Sequence, residues 1–212
     1  LAGDRIISVN DTSFVGEGIS NERVMKNLRG PKGTTVKLEI LRKTAKNPLT
    51  YEVTRGDIPV NSVDAAFMLD DKSGYIKVSK FGRTTYDEFI TALSKLNNQG
   101  AESFIIDLRG NSGGLMDIPI NMANEFLPAN RLIVYAEGKA FEREDAISNG
   151  TGAFQKEPLV VLTDEWTASS SEIFAGAIQD NDRGLIVGRR TFGKGLVQQQ
   201  IPFRDGSAIR LT

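Results

Sequence analysis

The sequence predicts an α/β chain: a helix-covered sheet preceded by a smaller segment of mixed strand and helix. Three observations predict it. Strand-like and helix-like periods alternate from residue 75 to residue 187, the pattern of a sheet covered by helices. Phe104-Ile105-Ile106 is a continuous apolar run, as in a strand buried on both faces. The charge also changes along the chain: residues 1–60 hold ten Lys/Arg and seven Asp/Glu, whereas the remainder holds 16 and 20. Gly56, Pro59 and the turn Asp70-Asp71-Lys72-Ser73-Gly74 mark the change, and the boundary is placed between residues 58 and 59.

The elements follow in order. Arg5 to Val9 is a short apolar strand closed by the turn pair Asn10-Asp11. Ser20 is an N-cap for a short helix carrying Val24, Met25 and Leu28, which Gly30-Pro31-Lys32-Gly33 ends. Thr35 to Leu41 alternates Val36, Leu38 and Ile40 with polar residues, a half-buried strand, and Tyr51 to Thr54 reads as another. Tyr75 to Val78 is a strand. The following helix has apolar residues at 86, 89, 90, 93 and 96, with Thr85-x-x-Glu88 as a capping box. After the 104–106 strand come a glycine turn at Gly110 to Gly114 and a helix with Ile118, Met122, Ala123 and Phe126. Leu132 to Tyr135 and Leu159 to Leu162 are buried strands. Residues 138–157, polar and without period, read as a loop or mobile lid. A helix with Ile173, Phe174, Ala177 and Ile178 and a strand at Leu185 to Val187 follow.

Composition removes several chemistries. The chain has no histidine and no cysteine among its 212 residues, so it holds no Ser-His-Asp triad, no Cys-His dyad, no thiol pair and no His- or Cys-ligated zinc. A carboxylate site for Mg²⁺ or Ca²⁺ stays open. Any general base is Asp, Glu, Lys or Tyr. The net charge of −1 gives no basic footprint for nucleic acid. No apolar run approaches the roughly 18 residues of a membrane span. The chain opens on Leu1 without Met and stops at Thr212 inside a strand-like run, so a part of a longer protein is expected, with any signal or anchor outside it.

Three stretches carry candidate chemistry. Ile105-Ile106-Asp107-Leu108-Arg109-Gly110-Asn111-Ser112-Gly113-Gly114 runs from strand through a glycine turn towards a helix, and such a turn exposes backbone N–H groups suited to an oxyanion hole. Taken alone it reads more readily as a tight strand-to-helix turn that holds nothing, because glycine turns are common. Thr163-Asp164-Glu165-Trp166-Thr167-Ala168-Ser169-Ser170-Ser171-Glu172 places a serine at a helix N-terminus, where the dipole favours developing negative charge; Ser169-x-x-Glu172 is also a plain capping box. Gly188-Arg189-Arg190-Thr191-Phe192-Gly193-Lys194-Gly195 nearly spells a nucleotide-binding loop. Gly195 stands where that loop needs Ser or Thr, and Leu196 to Pro202 reads as a strand where it needs a helix. Without histidine, lysine is the natural base for a serine. It must be held neutral, a shift of about three units from about 10.4, and burial among Phe192, Leu196 and Val197 is expected to supply it. No serine has a lysine three positions later, so the two groups must come from separate elements.

The three stretches, in this order, resemble the C-terminal processing peptidases, also called tail-specific proteases. Gly3-Asp4-Arg5-Ile6-Ile7-Ser8-Val9-Asn10 with Leu28-Arg29-Gly30-Pro31-Lys32-Gly33-Thr34 is similar to the latter part of that family's PDZ domain. The resemblance implies a partial PDZ domain over residues 1–58 and most of a crotonase/ClpP-like protease core over 59–212. It implies Ser169 as nucleophile, Lys194 as general base and Gln198 as the residue positioning the lysine. Strand parity agrees, since 194 and 198 would share a face. It further implies oxyanion donors on the backbone of Gly113, Gly114 and Ser170, and no cofactor or metal. The implied partners are proteins with free C-terminal tails, with PDZ gating that keeps Lys194 away from Ser169 until a tail binds. The implied location is the bacterial periplasm or cell envelope, with membrane anchoring outside this chain. Trp166-Thr167 and Ser170 depart from the family pattern without removing a catalytic atom. A non-catalytic tail-binding protein on the same fold is the second reading, and nucleotide binding through Gly188 to Lys194 the third.

Overall fold

A computed structural model describes residues 3–16, 18–56, 61–139 and 141–212. It forms two compact units, Leu1–Val60 and Asn61–Thr212. The expected boundary between residues 58 and 59 lies outside the described residues.

The first unit is an antiparallel sheet with one helix. Strands β1 (Arg5–Val9), β2 (Thr12–Ser13), β3 (Thr35–Leu41) and β4 (Leu49–Thr54) run in the order β2-β1-β3-β4. Asn10 and Asp11 take φ of 47° and 62°, the left-handed pair that a two-residue hairpin with native twist requires. Helix α1 (Asn21–Leu28) starts at Ser20, whose Oγ accepts the Arg23 N–H at 3.2 Å. Its far end is closed by Arg55, whose Nε donates to the Leu28 carbonyl at 2.8 Å. The core is small: Val9, Phe14 and Val36, with Ile19, Val24, Leu28 and Leu38 around them.

The second unit is built on a five-stranded sheet in the order β11-β10-β7-β6-β5, from β5 (Val63–Met68), β6 (Ser73–Val78), β7 (Ser103–Asp107), β10 (Leu159–Thr163) and β11 (Leu185–Gly188). All neighbours are parallel except β5 and β6. The β5–β6 turn is held by Asp70, whose Oδ1 accepts the N–H groups of Lys72 and Ser73 at 2.8 and 2.7 Å. Helices α2 (Thr85–Asn98), α3 (Asp117–Asn124) and α4 (Ser170–Asp180) share one core with the sheet's buried side chains: Phe89, Leu93, Met122, Phe126 and Phe174 lie with Ile76, Phe104, Ile106 and Val161.

Four expectations change here. The 104–106 strand is not buried on both faces: Phe104 and Ile106 face the core, while Ile105 is half-buried on a face where Phe67 and Tyr75 stack at 5.0 Å. Helix α2 is capped one residue earlier than expected. Thr84 is the N-cap residue, and buried Thr85 instead accepts the Gly82 N–H at 2.8 Å. Residues 138–157 are no free lid. Strand β9 (Phe141–Ile147) pairs antiparallel with β8 (Leu132–Gly138), and Arg143 stacks 4.0 Å over Tyr135. Beyond β9, Phe154 is anchored in the core against Phe104 and Phe126. Finally, residues 191–198 take no regular structure; strand β12 (Gln199–Pro202) begins only after Gln198 and pairs with β13 (Ala208–Leu211).

Candidate active site

Parallel pairing brings the first two stretches together. Asp107 at the end of β7 lies level with Leu162 near the end of β10, so both strand-to-helix turns leave the sheet side by side at its carboxyl end. They are tied across the gap. Thr167 Oγ1 donates to the Leu108 carbonyl at 3.0 Å, the Ala168 N–H to the Asn111 carbonyl at 3.0 Å, and Ser171 Oγ to that same carbonyl at 2.9 Å. The Gly110 N–H reaches Asp164 Oδ1 at 2.9 Å. Asn111 is fully buried and its Nδ2 holds the Val78 carbonyl at 3.0 Å, which anchors the glycine turn to β6.

Beneath the turns sits a charged cluster. Asp107 is buried and accepts from Arg109 through both carboxylate oxygens, at 3.0 and 2.7 Å, from Tyr75 at 2.6 Å and from Lys77 at 3.3 Å. Burial pushes its carboxyl up, but the Arg109 guanidinium, the Tyr75 hydroxyl, the Arg109 N–H and the Lys77 charge outweigh that and hold it well below the usual carboxylate range.

Ser169 stands at the N-terminus of α4 with φ 57° and ψ −117°, a conformation non-glycine residues rarely adopt and one that concentrates at functional sites. The glycine turn presses against it. A Cβ on Gly113 would stand 2.8 Å from the Ser169 Cβ and 3.0 Å from the Ser170 nitrogen, so only glycine fits there. The three expected oxyanion donors separate. The Gly113 N–H is given to Asn111 Oδ1 at 2.9 Å and is unavailable, because the buried Asn111 carboxamide turns back on its own loop. The N–H groups of Gly114 and Ser170 have no acceptor among the described residues. Ser170 Oγ donates to the Gly114 carbonyl at 2.9 Å, fixing that peptide beside the helix start.

The third stretch reaches the same place. From β11 the chain returns over the turns, with the Arg189 N–H on the Thr163 carbonyl at 3.1 Å and the Phe192 N–H on the Thr167 carbonyl at 2.9 Å. Lys194 and Ser169 line one cleft of about 490 Å³, together with Gly114, Ser170, Ile173, Val134 and Tyr135. No hydrogen bond joins Ser169 Oγ to Lys194 Nζ. The expected burial of Lys194 is not found. Phe192, Leu196 and Val197 are 64%, 65% and 51% exposed, since an irregular segment lacks the strand pairing that would pack them. Gln198 also lines the cleft, but its Nε2 donates to Thr212 Oγ1 at 3.4 Å, and the parity argument fails without a strand from 194 to 198. No helix follows Gly195, so the Gly188–Lys194 stretch does not form a phosphate loop. The sequence marks Glu172 only as a cap and does not single out Asn111. A buried asparagine inside a glycine turn is the signal that would have found the latter.

The model for peptidase family S41 matches residues 72–212. The chain belongs to that family. This S41 chain is 40% identical over 214 residues to the carboxyl-terminal-processing protease of Synechocystis sp., covering 99% of itself and 49% of that protein. It is 39% identical over 209 residues to carboxy-terminal processing protease CtpA of Bacillus subtilis, covering 99% of itself and 44% of that protein. Among solved structures it resembles the photosystem II D1 C-terminal processing protease at 32% identity and a TM-score of 0.62, over 100% of this chain and 57% of that one. The S41 chain thus spans about half the length of the curated relatives it matches.

Proposed function

We propose that this chain carries the Ser/Lys machinery of a serine endopeptidase that cuts proteins engaged by their C-terminal tails. The observation that carries the reading is the left-handed Ser169 at a helix N-terminus, sharing a cleft with Lys194 and flanked by two unpartnered N–H groups. Ser169 Oγ attacks the scissile carbonyl while Lys194, in its neutral form, takes the hydroxyl proton. The carbonyl oxygen gathers negative charge and receives hydrogen bonds from Gly114 N–H and Ser170 N–H, each such donor being worth about 2.7 to 4 kcal/mol in a transition state. Collapse of that intermediate breaks the C–N bond. The lysine ammonium returns its proton to the leaving amine, and water activated by Lys194 then releases the acyl group from Ser169. Substrate filling the cleft excludes water from the lysine, which the exposed loop does not do by itself. Gln198, on the cleft wall, steadies the lysine once its carboxamide leaves Thr212.

The residues of the first unit are read as the latter part of a PDZ domain, with α1 along one wall of a tail-binding groove and tail binding as the gate. The second unit is read as a crotonase/ClpP-like core, and the site of action as the periplasm or cell envelope. The relatives' printed activity, C-terminal processing, supports the substrate class. In full-length protein with an unstructured-tail substrate, Ser169→Ala and Lys194→Ala are each expected to lower kcat by about 10⁴-fold or more. Wild-type turnover by both would sink the assignment. Tight tail binding with no turnover by wild-type protein would favour a binding protein.

A further inference from the structure

We propose that Gly176 sets the depth of a pocket between α4 and β8 that takes an apolar substrate side chain flanking the scissile bond. The inference rests on the Ser/Lys reading above and names what that same site selects. A groove of about 400 Å³ starts at Ser169 and Lys194 and runs along α4, with β8 as its opposite wall. Both residues also line the catalytic cleft, so a substrate held for attack lies at the mouth of the groove. The middle of the groove is apolar, with Val134 and Tyr135 on one wall and Ile173, Gly176 and Ala177 on the other. Polar groups come at its two ends. Near Ser169, the Glu172 carboxylate is spent on the N–H groups of Ser169, Gly193 and Lys194 and on the Thr191 hydroxyl. At the far end, Asn181 Nδ2 donates to the Leu132 carbonyl at 2.9 Å and to the Ala177 carbonyl at 2.8 Å. That pair of bonds ties the start of β8 to the end of α4 and closes the groove beside the exposed Asp180.

Gly176 is the residue that points to an occupant. Among the described residues it is the sole glycine within a helix, and it sits in the interior of α4. Alanine is the best helix former and glycine among the poorest. Nothing in the fold asks for glycine here: its φ is not left-handed, and a Cβ would meet no atom within 4 Å. Gly113 and Gly114 differ, since a Cβ at either would run into backbone. The missing side chain therefore leaves room in the groove and not in the core. Gly176 lies seven residues from Ser169, about 10 Å along the helix and on the same face. Ile173 stands between them. A short substrate side chain thus reaches Ile173, and only the tip of a long one reaches Gly176. The lining selects apolar side chains, because a polar one would give up its water in the groove without gaining a partner.

The test uses full-length protein and an unstructured-tail peptide whose cut is mapped by mass spectrometry. The residues on either side of the cut are then varied in turn through alanine, valine, leucine and phenylalanine. kcat/KM is measured for wild type, Gly176→Ala, Gly176→Leu and Ser169→Ala, with thermal melting alongside. At one of the two positions wild type is expected to prefer leucine or phenylalanine over alanine by about tenfold or more, since one methylene in an apolar pocket is worth about 10- to 200-fold. Gly176→Ala is expected to cut that preference about tenfold and Gly176→Leu to abolish it. Neither is expected to melt earlier than wild type, because each replaces glycine with a better helix former. If Gly176→Leu melts early, Gly176→Ala alone carries the expectation. An undiminished preference in folded Gly176→Ala, or no preference at either position in wild type, overturns the pocket while Ser169→Ala remains inactive. Early melting of Gly176→Ala shows a structural need for the glycine and overturns it too. Wild-type turnover by Ser169→Ala overturns the underlying Ser/Lys reading instead.

Discussion

Two neighbouring glycines show how finely the site is divided. Gly113 and Gly114 are equivalent in the sequence, yet the first is buried with its N–H on Asn111 while the second leaves its N–H open beside Ser169. Which of the two N–H groups is left open depends on the turn of the Asn111 carboxamide, which no spacing rule encodes. The three ordered motifs single out Ser169 and Lys194, and the structure brings both to the lining of one cleft. Gln198 comes from the family resemblance, with strand parity only in agreement; the segment is irregular, so the parity support falls away, and its carboxamide lies on Thr212. Asp107 belongs to this scale too. Its depressed folded value means that its stabilisation is complete above the ordinary carboxylate range and is lost as pH falls through the folded value. Asp107→Asn is expected to cost about 2 kcal/mol near neutral pH, because Arg109 and Lys77 lose their acceptor. The gap in melting temperature between wild type and this variant should narrow from pH 7 towards pH 3. A gap that stays constant over that range contradicts the electrostatic origin.

At the scale of elements, local patterns located most of the sheet and all four helices, and failed where tertiary partners decide. Strand β5 was missed because it follows turn-forming residues and draws its partner from the β6 hairpin. Strand β9 was read as a loop because four of the seven residues of FEREDAI are charged and show no period-two alternation; its order comes from pairing with β8 and from Arg143 on Tyr135. The start of α2 gives a clean test. The sequence places the cap at Thr85, with Glu88 three residues on, whereas the structure has Thr84 as the N-cap residue. In the structure the exposed Thr84 hydroxyl donates to Glu88 Oε1, whereas buried Thr85 accepts the Gly82 N–H and donates to the Lys80 carbonyl. Thr85→Ala is therefore expected to destabilise by about 1 to 3 kcal/mol and Thr84→Ala by less than about 1, measured by urea unfolding. A loss in Thr84→Ala as large as that in Thr85→Ala would contradict this division of roles.

At the scale of the molecule, the site exists only because distant stretches converge. Parallel strands β7 and β10 carry two turns to one end of the sheet, and the chain after β11 returns to close against α4. The absence of histidine and cysteine, read first as an exclusion, is compatible with the proposed lysine base, and the convergence brings Lys194 and Ser169 to one cleft. Three consecutive serines begin α4, but Ser170 and Ser171 spend their hydroxyls on the glycine turn. The central claim is thus that Ser169 alone forms the covalent intermediate. The direct measurement is acid quenching of full-length protein during turnover of a tail-peptide ester, followed by fragmentation mass spectrometry. The account expects an acyl group on Ser169 that is absent from Ser169→Ala. An acyl group on Ser170 or Ser171, or turnover with no acyl group on any serine, would contradict it.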